Sequence, residues 1–113
     1  MNRLLQLSDL QVLCAEHKIR WTNHILTRLL QRGIMLADVE NAVMHGEIIE
    51  QYPDDYPNPS CLILGAATAD RKLHVVCGSD GTLLWMITAY YPVVDRWEKD
   101  FRKRRINGKE DCE

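Results

Sequence analysis

The sequence lacks several features that would point directly to a protein class. Its four cysteines are scattered and form no CxxC pair, which argues against a zinc site and against a disulfide framework. The longest apolar stretch, residues 83–89, is much shorter than a membrane span. Asp9 and Glu16 interrupt the apolar start, so no signal peptide is expected. We therefore predict a cytoplasmic protein with reduced thiols, no membrane association, and no metal or cofactor.

Basic residues are absent from one long stretch and concentrated in another. Between Gly33 and Asp70 there are seven acidic residues and no Lys or Arg, whereas half of the 14 Lys and Arg residues lie between residues 96 and 109. A chain polarised in this way can attract a polyanion at its basic end despite a net charge of -2. A solvated C-terminal helix and tail would explain the same pattern without a ligand.

The length of 113 residues supports one domain with one core. We predict this domain over residues 1–105 and a mobile charged tail over residues 106–113. Helical signals dominate its first half. Ser8 and Gln11 have capping-box spacing and predict a helix over about Asp9–His17. A third helix is predicted over Leu36–His45, with Gly46 ending it.

The second predicted helix has the clearest division of polar and apolar residues. Thr22 or Asn23 caps its start and Gly33 ends it. At 100° per residue its apolar arc contains Ile25, Leu26, Leu29 and Leu30, and its polar arc contains His24, Arg28 and Arg32. The connector before it, Ile19–Trp21, is short and extended.

The second half of the chain contains strand signals separated by turns. They predict an α+β fold in which the N-terminal helices pack on an antiparallel sheet of three or four strands, followed by a C-terminal helix over Val93–Arg105. The predicted strands are Glu47–Tyr52, Cys61–Thr68, Leu73–Gly78 and Thr82–Tyr91.

Asp80-Gly81 predicts a two-residue hairpin turn between the last two strands. This turn pairs Ser79 with Thr82 and therefore His74 with Ile87, which places His74 and Tyr90 on opposite faces of the sheet. A slip of one residue would bring them to the same face.

The polar arc of the second helix has two interpretations. RNA cleavage without a metal requires groups that move a proton, which suit histidine, and cations for the phosphate, which suit arginine. His24, Arg28 and Arg32 rise about 6 Å per step along one helix face, close to the phosphate spacing of an RNA strand. Alternatively, Arg28 and Arg32 simply complement the dipole at the end of the helix.

Several motifs in order resemble one bacterial family. HILTRLLQRGI matches the pattern H-x3-R-x3-R-G-[IV], and DVENAVMHGEIIEQYPDD, LILG, LHVV and ITAYYP follow it. Together they resemble the bacterial domain of unknown function 4258, over about Ile19–Pro92. That family is similar in layout to the MqsR and RelE toxins, which are small ribonucleases. The resemblance implies an mRNA-cleaving toxin whose partners are RNA and an antitoxin encoded nearby.

The resemblance and the chemistry together select the candidate site residues. His24, Arg28 and His74 are predicted to be catalytic. A non-catalytic RNA- or protein-binding module of the same fold is the alternative, a partner that binds another chain through an exposed strand edge is a third hypothesis, and a homodimer stays open. The predicted RNA-binding residues are Arg32, Tyr90, Arg102, Arg104 and Arg105.

Overall fold

A computed structural model describes residues 4–104 of the protein. Three helices pack on one face of a five-stranded sheet, so the α+β prediction is confirmed. None of the helices in this range has the length and apolar character needed to cross a membrane. The elements are α1 (Leu7–Ala15), β1 (Ile19–Trp21), α2 (Asn23–Arg32), α3 (Leu36–His45), β2 (Glu47–Tyr52), β3 (Ser60–Ala66), the 3-10 turn Thr68–Asp70, β4 (Lys72–Ser79) and β5 (Leu84–Tyr90).

The sheet is mixed rather than wholly antiparallel. Its strand order is β1-β5-β4-β3-β2, and the four strands β2 to β5 pair antiparallel as predicted. The segment Ile19–Trp21, predicted to be a connector, is instead a fifth strand that runs parallel to Leu84–Met86. Ile19 and Trp21 pack against the core, so burial of these two side chains explains why the connector joins the sheet.

Helix α2 begins and ends where the sequence predicts. The Thr22 hydroxyl accepts a hydrogen bond from the Ile25 amide at 3.3 Å, and Gly33 adopts the left-handed conformation that ends the helix. The apolar arc, however, is only half buried. Ile25 and Leu29 lie in the core, whereas Leu30 is 84% exposed, because α2 contacts β5 along one side only.

The capping box predicted for α1 does not form. The helix begins two residues earlier than predicted, with Gln6 as its N-cap and no side-chain capping bond. The Gln11 side chain instead donates to the carbonyl oxygens of Val43 and Met44 at 3.3 and 3.0 Å. Gln11 therefore ties α1 to the end of α3, because α3 offers it two carbonyl acceptors.

The two faces of the sheet have different covers. Cys61, Ile63, Leu73 and Val75 face the helices and form the main core. The alternate residues face the opposite side, which we call the helix-free face, and Leu62, Leu64 and His74 are nevertheless buried there. The three cysteines within the described residues, Cys14, Cys61 and Cys77, are buried free thiols.

The predicted pairing of β4 with β5 is wrong by three residues. The turn is longer than two residues, because the Asp80 carboxylate accepts from the amides of Thr82 and Leu83, so Ser79 pairs with Leu84. A bulge between Met86 and Thr88 adds the third residue. Since three is odd, His74 lies directly opposite Tyr90, and both side chains belong to the helix-free face.

The predicted C-terminal helix over Val93–Arg105 is also wrong. Residues 92–104, which we call the C-terminal strap, contain turns and one antiparallel bridge between Trp97 and Arg104. Phe101 has a φ of 59°, a conformation that a helix excludes. The strap lies against the helix-free face, where Trp97 is buried. Arg105 and the predicted tail, residues 106–113, lie outside the described residues.

Two neighbouring leucines of α2 test the direction of this packing. We expect Leu29→Ala to lower the free energy of unfolding by about 2–5 kcal/mol, because it leaves a cavity in the core. The matched change Leu30→Ala should alter it by less than about 0.5 kcal/mol, because that side chain is in solvent. Urea unfolding of both variants measures the difference, and equal losses would contradict the orientation of α2.

Candidate functional site

The predicted site residues on α2 are accessible but do not form a cluster with His74. His24 and Arg28 are exposed, and neither side chain is hydrogen-bonded or ion-paired to any residue in the range 4–104. Arg32 is anchored at the sheet edge, where its guanidinium donates to the Ala89 carbonyl at 2.8 Å and to the Thr88 hydroxyl at 3.3 Å. Arg32 thus covers part of the β5 edge that extends beyond β1.

His74 lies on the other side of the sheet from α2. It is completely buried on the helix-free face, whereas α2 packs on the opposite face. The sheet therefore separates His74 from His24 and Arg28, and the three predicted catalytic residues are not brought together. The structure does bring His74 together with Tyr90, its direct cross-strand partner.

Both ring nitrogens of His74 have partners. Nε2 lies 2.9 Å from the carbonyl oxygen of Phe101, which only accepts, so this nitrogen donates. Nδ1 lies 3.3 Å from the Tyr90 hydroxyl and accepts from it. The Trp97 ring covers the imidazole edge-on, with the ring centroids 4.4 Å apart. His74 is therefore held as one neutral tautomer beneath the strap.

A second group of polar residues adjoins this histidine. The Arg104 guanidinium binds both carboxylate oxygens of Glu50, at 2.9 and 3.1 Å, and lies over the Trp97 ring. The Tyr52 hydroxyl donates to the same carboxylate. Glu50 and Tyr52 occur on β2 and reach the helix-free face beside the strap. A continuous chain of contacts thus leads from Tyr52 through Glu50, Arg104 and Trp97 to His74.

Arg102 of the strap also binds a carboxylate of β2. Its Nε donates to a carboxylate oxygen of Glu47 at 2.8 Å. Arg102 and Arg104, predicted to bind RNA, are therefore paired with acids of β2 within the same chain. Sequence reasoning missed Glu50, Tyr52 and Trp97. The sequence signal that could have indicated this pairing is the opposite charge of the acidic strand and the basic C-terminus.

Burial determines the protonation of this cluster. It lowers the pKa of His74 below its ordinary value, and this effect outweighs the hydrogen bond to Phe101 and the charge of Glu50. Burial likewise raises the pKa of Tyr90, against the positive charge of Arg104 and Arg32. Burial and the bond to Glu50 raise the pKa of Tyr52 as well. The cluster therefore contains a neutral imidazole and two neutral phenols near pH 7.

The chemistry open to this cluster is proton transfer and anion binding. A neutral imidazole beside a tyrosine hydroxyl can accept or pass a proton, and an arginine can bind a phosphate. Within residues 4–104, no three His, Cys, Asp or Glu side chains are grouped in a way that could hold a metal ion.

The burial of His74 predicts a pH-dependent stability. The unfolded chain takes up a proton at this residue near its ordinary pKa of 6.5, but the folded protein resists it until a lower pH. The unfolded state then binds more protons, so the free energy of unfolding should fall as the pH drops from about 7 to 5, by up to about 1.4 kcal/mol per pH unit.

Urea unfolding at several pH values measures this slope for the wild type and two variants. His74→Gln removes the buried titrating group and should flatten the profile. His24→Gln, which removes an exposed histidine, should leave the slope in place. An unchanged slope in His74→Gln would show that another group causes the acid sensitivity.

Comparison with known proteins identifies the family. A family model described as "Domain of unknown function (DUF4258)" matches residues 21–91, more than half of the chain. No curated protein and no solved structure matches the sequence. The matched range contains α2, α3 and strands β2 to β5, and therefore includes His24, Arg28, His74 and Tyr90. The chain belongs to the DUF4258 family.

Proposed function

We propose that this protein is a metal-independent endoribonuclease toxin, restrained by an antitoxin, whose proton-moving residue is His74. The observation that carries the proposal is the convergence of His74, Tyr90, Glu50 and Arg104 on one face of the sheet. These residue types supply a base, a hydroxyl that orients it, a phosphate-binding cation and a carboxylate that positions the cation. The sequence resemblance described above implies the same class of function.

The proposed reaction needs one proton to move from the 2′-hydroxyl of RNA to the leaving 5′-oxygen. A neutral imidazole can take this proton, and the imidazolium can then return it to the leaving group. The Tyr90 hydroxyl can accept as well as donate. It can therefore hold Nδ1–H while Nε2 serves as the base. Arg104 would stabilise the charge that develops on the phosphate.

Access to His74 requires the strap to shift. In the closed arrangement Trp97 covers the imidazole and the Phe101 carbonyl occupies Nε2. Phe101 has a positive φ, and a bulky residue in that conformation costs roughly 1–2 kcal/mol. The contact that blocks His74 is thus made by a strained residue. If the strap shifts and Phe101 relaxes, the free energy of this strain offsets part of the cost of opening.

A second candidate function is RNA binding without cleavage. It is favoured by the exposure of His24 and Arg28 on α2, a helix that contains no Asp or Glu. In this alternative the His74 cluster only holds the strap in place, and α2 contacts the phosphate backbone. The two candidates assign the activity to opposite faces of the sheet, so variants on each face separate them.

Cleavage of a labelled single-stranded RNA tests the first candidate. We expect His74→Gln to reduce the rate by about 10²–10⁴, the usual contribution of general acid–base catalysis. His24→Gln is the matched control on the other face and should retain most of the activity. Expression in bacteria should arrest growth with the same ranking, and the neighbouring gene should relieve the arrest.

A further variant tests whether the strap, by covering His74, hides the cleavage activity of the wild type. Trp97→Ala removes the ring over His74 and should raise the cleavage rate, with circular dichroism confirming that the variant is folded. If neither the wild type nor folded Trp97→Ala cleaves RNA, the enzyme proposal is rejected. If His24→Gln loses activity and His74→Gln does not, the site belongs to α2.

The salt dependence of RNA binding tests the second candidate. Each arginine that neutralises a phosphate contributes about 0.7 to the slope of log K against log salt for a single strand. Arg28→Ala should therefore weaken binding and flatten this slope by that amount. Lys18→Ala is the control, since Lys18 is already paired with Glu16 at 3.4 Å. Binding with an unchanged slope in Arg28→Ala would exclude α2 as the RNA contact.

A further inference from the structure

A cavity of about 320 Å³ opens on the helix-free face. Its walls come from the loop between β2 and β3, residues 55–58, and from Gly78, Trp85 and Ile87 of β4 and β5. Tyr56 at its rim is 95% exposed and Ile87 is 42% exposed. Two large apolar side chains thus remain in solvent beside a concave surface, and ligand sites are typically concave and lined by such side chains.

The polar groups of this cavity are incompletely satisfied. Nε1 of Trp85 is buried and has no hydrogen-bond partner within residues 4–104. A buried donor without an acceptor is rare in proteins and calls for an explanation. The Asp55 carboxylate accepts from the Ser60 hydroxyl. Because a carboxylate has about four acceptor positions, Asp55 keeps capacity for further donors.

A cation lies next to the aromatic wall. The Arg20 guanidinium carbon is 5.8 Å from the centre of the Trp85 ring. The Arg20 side chain extends from β1 on the same face of the sheet as Trp85. An aromatic surface combined with an arginine is the arrangement that binds single-stranded nucleic acid, with the base on the ring and the backbone at the cation.

The distance from His74 fits a neighbouring nucleotide. Gly78 is four residues from His74 along β4, which corresponds to about 13 Å at the usual rise of a strand. At the phosphate spacing of about 6 Å used above for α2, this distance covers about two nucleotides. An RNA strand whose scissile phosphate lies at His74 would therefore bring a flanking base to this cavity.

We propose that the cavity binds a guanine base of single-stranded RNA, two nucleotides from the scissile phosphate. This inference rests on the proposed ribonuclease function. The Watson–Crick edge of guanine carries two neighbouring N–H donor groups and a carbonyl acceptor. The Asp55 carboxylate matches these two donors. The ring would stack against Tyr56 and Trp85, with Arg20 at the adjoining phosphate.

Nucleotide titration of the full chain, followed by NMR, tests the site without any cleavage. The indole N–H signal of Trp85, assigned by its loss in Trp85→Phe, should shift with 5′-GMP and with a guanine-containing RNA hexamer. AMP and UMP should shift it at higher concentrations only. Tyr56→Ala should weaken binding about 5- to 150-fold, the range for loss of one stacked base.

A pair of neighbouring acids provides the control for base recognition. Asp55→Asn should abolish the preference for GMP over AMP. Asp54→Asn changes the same charge outside the cavity and should keep it. The proposal is overturned if none of the nucleotides shifts the Trp85 signal. It is also overturned if GMP shifts this signal in Tyr56→Ala and Asp55→Asn as much as it does in the wild type. A shift caused only by an aromatic peptide assigns the cavity to a protein partner and overturns it as well.

The outcomes for this site and for the ribonuclease are independent. Nucleotide binding without cleavage by the wild type or Trp97→Ala would leave the cavity in place and reject the enzyme. Cleavage that depends on His74, with no shift of the Trp85 signal, would keep the enzyme and reject the cavity as its base-binding site.

Discussion

The pairing of β4 with β5 determines the chemistry of the helix-free face of the sheet. The register shifts at a bulge beside Ile87, and this shift places Tyr90 directly opposite His74. The same pairing places Trp85 opposite Gly78, where the cavity opens. A pairing displaced by one residue would send His74 or Tyr90 into the helix-packed core. The hydrogen bond between them, and the aromatic cover over them, would then be lost.

The acidic and basic segments of the chain pair with each other within the fold. The acids of β2 and the bases of the strap form two ion pairs, Arg102 with Glu47 and Arg104 with Glu50. Exposed pairs of this kind contribute little individually, but Arg104 also lies over the buried Trp97 ring. The strap is therefore held by apolar burial and is aligned by charge. Because both arginines are paired, the basic C-terminus is not simply a free surface for polyanions.

The two surfaces with candidate roles in RNA binding meet at one edge of the sheet. α2 lies on one face and the His74 cluster on the other, with Arg32 at the edge between them. Arg32 is close enough to Tyr90 to oppose the rise in its pKa. An RNA that contacts both surfaces, as the two proposals together would allow, would have to pass around β5 at Arg32. This geometry is the reason that variants on each face report on different steps.

Local sequence was sufficient wherever one element determined its own structure. The caps of α2, the range of α3 and the existence of four antiparallel strands follow from side chains and periodicities within each segment. The candidate site depended on contacts between distant segments. Trp97 and Phe101 have helical spacing, yet the strap follows the sheet because Trp97 can be buried there and the two ion pairs align it.

Tertiary structure alone decided which predicted residues meet. His24 and Arg28 were predicted from spacing on one helix, and the structure confirms that they share its exposed side. Whether His74 would join them depended on the face of the sheet that it occupies, and whether Tyr90 would join His74 depended on the extra residue at the β5 bulge. The spacing of residues in the sequence does not reveal this bulge, because the bulge is stabilised by packing between β4, β5 and the strap.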